Sequence, residues 1–225
     1  MKIQYYLIHN NDLIRKERMI NEFIKAGINL DDIKWIIKPE RNEITMEFIN
    51  KFVADGITKT NNRYINAQNE LSIGVMICSF KHYLALNDII LNNYEYAVIM
   101  EDNMRFEGNV PETINKYIEQ LNENYKDWDI IFDNEWCHYN EGEVKEGLLV
   151  YPKSLEISDK NHGGTRLAQF YLLNLGCAKK LYDNYIPFNN APDWYMNDLF
   201  RKLNIKCFWS EPSVVKVWEH ISTAN

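Results

Sequence analysis

Glycine and proline are sparse in these 225 residues, at nine and six. No glycine-rich turn follows any segment that reads as a strand. That argues against a dinucleotide fingerprint or a P-loop, which need glycines where backbone amides approach phosphate. Cysteine is also scarce. Cys78, Cys137, Cys177 and Cys207 lie far apart with no CxxC pair. Neither a disulfide framework nor a structural zinc site is supported, and buried free thiols are expected. Basic residues are outnumbered, 25 Lys and Arg against 32 Asp and Glu, for a formal net charge of -7. The basic footprint that grips a nucleic-acid backbone is missing, so no nucleic-acid partner is expected. One diphosphate is still within reach, because a metal or a few cations neutralise it locally. No apolar stretch approaches the length of a membrane span. The opening apolar run at 3–8 is too short for a signal peptide, and a cytoplasmic, reducing compartment is expected.

What is present is an ordinary globular balance, 46% hydrophobic and 25% charged, enough for one large domain over residues 1–225. Strands are expected at 3–8, 34–37, 94–100, 128–132, 167–173 and 206–209. Each is short, apolar and rich in β-formers. Helices are expected at about 12–26, 43–55, 71–91, 111–125, 176–185 and 192–203. Asn11 or Asp12 caps the first and Gly27 stops it, while Pro111 sits near the first turn of the fourth. Residues 58–69 read as a loop. Residues 134–165 form a long polar stretch with a hairpin around 148–151. Strands alternate with helices over the first 130 residues, so a mainly parallel α/β sheet is expected there, with ligands outside the carboxyl ends of its strands.

Glu101, Asp102 and Asn103 stand where the strand at 94–100 ends. Adjacent carboxylates repel unless a cation lies near them. Hard cations such as Mn2+ and Mg2+ take carboxylate and phosphate oxygens together, so this turn is a seat for a metal-bound diphosphate. The alternative is a solvated turn. Gly74, Cys78 and His82, spaced by four, share one helix face leading into that strand, with Lys81 beside His82. The alternatives are plain packing for Cys78 and a core role for His82.

Three groups of residues resemble glycosyltransferase family 25. Gly74 to His82, then Ala85-Leu86, and then Tyr96 to Phe106 around Glu101-Asp102-Asn103 carry the likeness best. Tyr6 to Asn10 with Arg15 to Met19 is similar to the family's opening. Gly164-Thr165, Tyr171 to Asn174, Ala178 to Leu181 and Pro192-Asp193-Trp194 follow in the family's order. The chain departs from the pattern at His9, Val75, Ile77, Lys81 and Asn103. Asn103 replaces an Asp, so it offers a carbonyl oxygen without charge.

The resemblance implies a single-domain GT-A-like α/β fold, a mixed sheet with helices on both faces. It implies a UDP-sugar donor, with galactose favoured, a glycan or hydroxyl acceptor, inversion, and a Mn2+ or Mg2+ cofactor. Asp102 is then the leading metal ligand, supported by Glu101, Asn103 and, by analogy, His220, whose alternative is a surface histidine in the tail. His9 and Asn10 would meet the nucleoside. Arg15 would reach a phosphate or lie on a solvated helix face. Lys81 and His82 would contact substrate. Asp193 is the expected general base, its alternative an N-cap, and its rivals are Asp133 and Glu135. Trp136, Trp194 and Trp218 are expected on the acceptor side or in packing. Two other readings stand beside this one. A nucleotidyltransferase would need a basic, glycine-rich loop. A weakened relative would bind nucleotide or glycan without turnover.

Overall fold

The computed structural model describes residues 3–60, 70–158 and 161–218. In chain order the elements are β1 (Ile3–Ile8), α1 (Leu13–Lys25), β2 (Ile33–Ile36), α2 (Met46–Phe52), β3 (Thr58–Thr60), β4 (Glu70–Ser72), α3 (Ile73–Leu91), β5 (Tyr96–Glu101), β6 (Met104–Phe106), α4 (Val110–Asn124), β7 (Ile130–Phe132), β8 (Val150–Pro152), β9 (Ile157–Ser158), β10 (Asn161–His162), β11 (Phe170–Asn174), α5 (Leu175–Tyr185), α6 (Pro192–Leu203), β12 (Cys207–Ser210) and β13 (Val215–Val217).

Successive side chains of a strand point to opposite faces of its sheet. In β1, Tyr6 and Ile8 join one core while Ile3, Tyr5 and Leu7 join another. In β5, Ala97 and Ile99 go to the first core, Val98 and Met100 to the second. Strands apolar on both sides require cover on both sides. Buried residues of α3, α5 and α6 cover one face, and those of α1 and α4 the other.

The main sheet has seven strands in the order β2-β1-β5-β11-β7-β12-β8. β1 is parallel to both β2 and β5, as the early alternation of strand and helix predicts. β11 then enters antiparallel between β5 and β7, so the sheet is mixed. β12 is parallel to β7 and antiparallel to β8.

Local signals set the helix starts. Asp12 caps α1, its Oδ1 accepting from Arg15 N at 3.0 Å. Ser72, Asn109 and Asn174 cap α3, α4 and α5 in the same way.

Two expectations need correction. The helix α3 is, by length and composition alone, long and apolar enough to cross a membrane. Here it is a core helix, burying Met76, Ala85, Leu86 and Ile89 together with Lys81 and His82. The hairpin expected near 148–151 is instead the edge strand β8 on β12, because Val150 and Tyr151 are buried there. The hairpin of that stretch is the short β9–β10 ribbon.

Candidate active site

A cavity of about 730 Å³ opens at the carboxyl ends of β1 and β5, the place a parallel sheet leaves for ligands. Ile8, His9 and Asn10 contribute from β1, and Glu101, Asp102 and Asn103 from β5. Gly74, Ile77, Cys78 and Lys81 of α3 form another wall, and residues 39–42 after β2 a third. Trp136, Gln169, Val217 and Trp218 close the remaining side.

Asp102 is the charge centre of this wall. It is buried, and both its oxygens are engaged. Oδ1 accepts from Arg15 Nη1 at 2.5 Å, and Oδ2 lies 2.7 Å from His9 Nδ1. Arg15 was expected to meet a phosphate or bulk water. It lines the cavity but is buried, drawn from α1 onto the strand-end carboxylate, so it does not lie on a solvated helix face. The leading metal role expected for Asp102 is therefore altered. Its charge is countered by Arg15, and only the second lone pairs of its oxygens remain for an ion. His9 packs edge-on to Trp35 at 5.2 Å and lines the cavity, and its Nε2 is buried without a hydrogen-bond partner among the described residues.

Lys81 reaches under the same turn, its Nζ donating to the His9 carbonyl at 2.6 Å. Burial pushes its ammonium below the usual lysine range, while nearby acidic groups, Asp102 among them, act the other way. Asn103 hangs its backbone on the C-terminal segment: its carbonyl accepts from Trp218 N at 3.0 Å. Trp218 also donates from Nε1 to the Met104 carbonyl and lies under the Arg18 guanidinium. The pairing of β6 with β13 thus fixes the acidic turn from its far side.

Asn103 Oδ1 is buried and unpartnered among the described residues. The same cavity lining carries the partly exposed Glu101 carboxylate and the remaining lone pairs of Asp102. All are oxygen donors at one cavity wall, and that donor set fits a hard divalent cation. His220 lies outside the described residues.

Asp193 is half-buried on α6 and is not among the residues that line the cavity. It is not the N-cap: Ala191 holds that position, and Asp193 Oδ1 accepts from Trp194 N at 3.0 Å. Ser79 of α3 donates to the Asn190 carbonyl at 3.2 Å, tying the start of α6 to the cavity helix. Burial raises the Asp193 carboxyl above the ordinary range, and the charge of Glu101 adds to the effect. Its rivals are occupied elsewhere. Asp133 is buried beneath Tyr117 and Ser213, and Glu135 accepts from Val217 N at 2.8 Å.

His82 does not touch the cavity, contrary to expectation. It is fully buried, with Nδ1 2.7 Å from the Tyr171 hydroxyl. Trp194 is 46% exposed and outside the cavity wall, whereas Trp136 and Trp218 are part of it. Sequence reading missed Arg41 and Asn42, in a short 3-10 turn at 41–43 after β2, and Gln169, just before β11, none of which a motif marks.

Relatives are distant. The model of "Glycosyltransferase family 25 (LPS biosynthesis protein)" matches residues 3–196. Procollagen galactosyltransferase 2 of Homo sapiens is 20% identical over 214 residues, covering 89% of this chain and 32% of that protein. The Mus musculus protein of the same name is 22% identical over 158 residues, covering 64% and 24%. The chain thus spans at most about a third of the length of these relatives. The solved structure of S. aureus TarS 1-349 in complex with UDP-GlcNAc superposes with a TM-score of 0.51 at 12% identity, over 100% of this chain and 60% of that one. At such identity the likeness concerns the fold, which is GT-A-like. With the family model matched across most of its length, the chain belongs to glycosyltransferase family 25.

Proposed function

We propose that this chain is one catalytic domain that transfers a hexose, galactose favoured, from a UDP-sugar to a hydroxyl of a glycan or similar acceptor, with inversion. One observation carries the reading. Asp102, locked to Arg15 and His9, faces the same 730 Å³ cavity as Glu101, Asn103 and Lys81 at the carboxyl ends of the parallel strands. The fold neighbour solved with UDP-GlcNAc supports a nucleotide-sugar donor, and the relatives' names favour galactose.

Inverting transfer needs an acceptor hydroxyl attacking in line while the diphosphate leaves on the opposite side. Asp193 takes the hydroxyl proton, and its raised basicity suits that task. The Lys81 ammonium and the Arg15 guanidinium place positive charge at the cavity wall where the diphosphate collects negative charge. Asp102 orients Arg15 and His9 for the nucleotide and keeps the guanidinium from turning away. Asn103 and Glu101, with the spare lone pairs of Asp102, would hold a divalent cation. When bound, Mn2+ or Mg2+ would neutralise the departing diphosphate.

A second reading is binding without turnover. Both oxygens of Asp102 are engaged and Asn103 carries no charge, which favours a weak metal site. A panel of UDP-sugars incubated with the chain and Mn2+, with calorimetric titration of UDP, separates the two. Release of UDP from one donor, lost in Asp193→Asn, supports the transferase. UDP binding with no donor consumed at any Mn2+ concentration leaves the binder, and absence of UDP binding removes both readings.

A further inference from the structure

Behind the cavity wall three side chains of different chemistry converge. Cys78 Sγ lies 3.7 Å from Glu101 Oε1, and His82 Nε2 lies 3.5 Å from the same oxygen. All three ligand atoms fall within 4.8 Å of one another. The convergence is built in: Cys78 and His82 are one helical turn apart on α3, and Glu101 ends the strand beneath that helix. We infer that Cys78, His82 and Glu101 form a binding site for a zinc-class cation, which shares only Glu101 with the oxygen donors around Asn103. The inference does not rest on the proposed sugar transfer.

Distance supports it. Zinc–nitrogen and zinc–oxygen bonds of about 2.0 Å and zinc–sulfur bonds of about 2.3 Å put tetrahedral ligand atoms about 3.3–3.6 Å apart. The separations of 3.5 and 3.7 Å are close to that before any ion is drawn in. The histidine supports it too. Its side chain is fully buried, and Nε2 has no hydrogen-bond partner among the described residues although it faces a carboxylate and a thiol. A buried polar atom left this way calls for an explanation. The other ring nitrogen is held at 2.7 Å by the Tyr171 hydroxyl, which burial keeps in its neutral form. A ligating histidine held at its second nitrogen is the usual arrangement around zinc.

Donor type selects the ion. A thiolate with an imidazole and one carboxylate suits Zn2+ and is poorly matched to Mg2+ or Mn2+. Burial and the Glu101 charge hold the Cys78 thiol protonated, so the entering cation must release that proton to solvent. Cys78 and Glu101 both reach the cavity wall while His82 stays behind it, so the fourth coordination position faces the cavity. There a water would complete the set.

Cobalt reports the geometry independently of activity. The full chain, stripped with chelator, is titrated with Co2+ and its absorption recorded. One equivalent is expected to give intense visible bands of tetrahedral cobalt and a near-ultraviolet thiolate-to-cobalt band, both removed by added Zn2+. Cys78→Ser, nearly isosteric and checked for its fold by circular dichroism, is expected to lose the thiolate band, while Cys137→Ser keeps it. Cobalt at an all-oxygen site gives only weak bands and no thiolate band, and that result overturns the inference. A thiolate band that survives in folded Cys78→Ser overturns it as well.

Discussion

Asp102 shows how one side chain can serve fold and site together. Its ion pair with Arg15 is buried on both sides, with side-chain exposures of 9% and 6%. Removing one partner of such a pair strands the other charge away from water and costs about 3–5 kcal/mol. Asp102→Asn should therefore lower stability by about that range in urea unfolding, and an Asp102→Asn/Arg15→Met double variant should recover part of it. Two groups, Asp193 and Lys81, set the expected pH profile of transfer. Asp193 must be ionised to accept a proton, and burial raises its carboxyl, so activity should fall on acidification at a pH above the ordinary aspartate range. Its stability effect has the opposite direction. A raised folded-state value means the folded chain binds that proton more tightly, so the contribution declines as pH rises between the unfolded and folded values. Lys81 is lowered by burial, so the alkaline limb should begin below the usual lysine range. A rate profile from pH 4 to 10 with Asp193→Asn alongside checks both limbs. That variant should lose about 10²–10⁴-fold in turnover without a residual acidic limb.

Among the elements, helices were easier to anticipate than strand pairings. The cap at Asp12 and the helical periodicity of residues 71–91 are local facts, and α1 and α3 start within a few residues of where those facts put them. That β11 enters antiparallel between β5 and β7 is a long-range outcome. Nothing in the run Phe170–Asn174 records which neighbours it will meet. The turn before β11 shows how tightly that placement is fixed. Gly164 donates no side chain, and a Cβ there would stand 2.9 Å from Leu155 Cδ2, 3.0 Å from Phe200 Cδ2 and 3.2 Å from Cys207 Sγ. Its carbonyl accepts from Trp209 Nε1 at 2.7 Å, so the backbone cannot retreat without breaking a buried bond. Gly164→Ala should then cost about 1–3 kcal/mol through overpacking. Gly142→Ala, where the nearest atom would be 3.6 Å away, should be close to neutral. Thermal unfolding of the two variants side by side decides it.

At the scale of the molecule, the cavity collects residues that the sequence scatters. Its acidic turn, the Lys81 helix face and the β1 end carry family-like motifs and could be read in advance. The Arg15–Asp102 pairing, 87 residues apart, and the place of Val217 in the cavity wall depend on the assembled sheet and could not. That scatter has a thermodynamic consequence. A nucleotide seated here would bridge β1, α1, the 39–42 segment, α3, β5 and the C-terminal ribbon, so its binding energy should stabilise the whole fold and not one loop. A ligand that binds only the folded chain adds about 2.7 kcal/mol at a hundred times its dissociation constant. For a chain of this size that is a rise of roughly 5–10 °C in the unfolding midpoint. UDP at saturating concentration should produce such a shift in differential scanning fluorimetry as a single transition. Arg41→Ala, exposed at the rim, should reduce the shift while leaving the ligand-free midpoint unchanged, because it lines the cavity without belonging to either core. A UDP shift that is absent, or equal in wild type and Arg41→Ala, would move the nucleotide away from this rim.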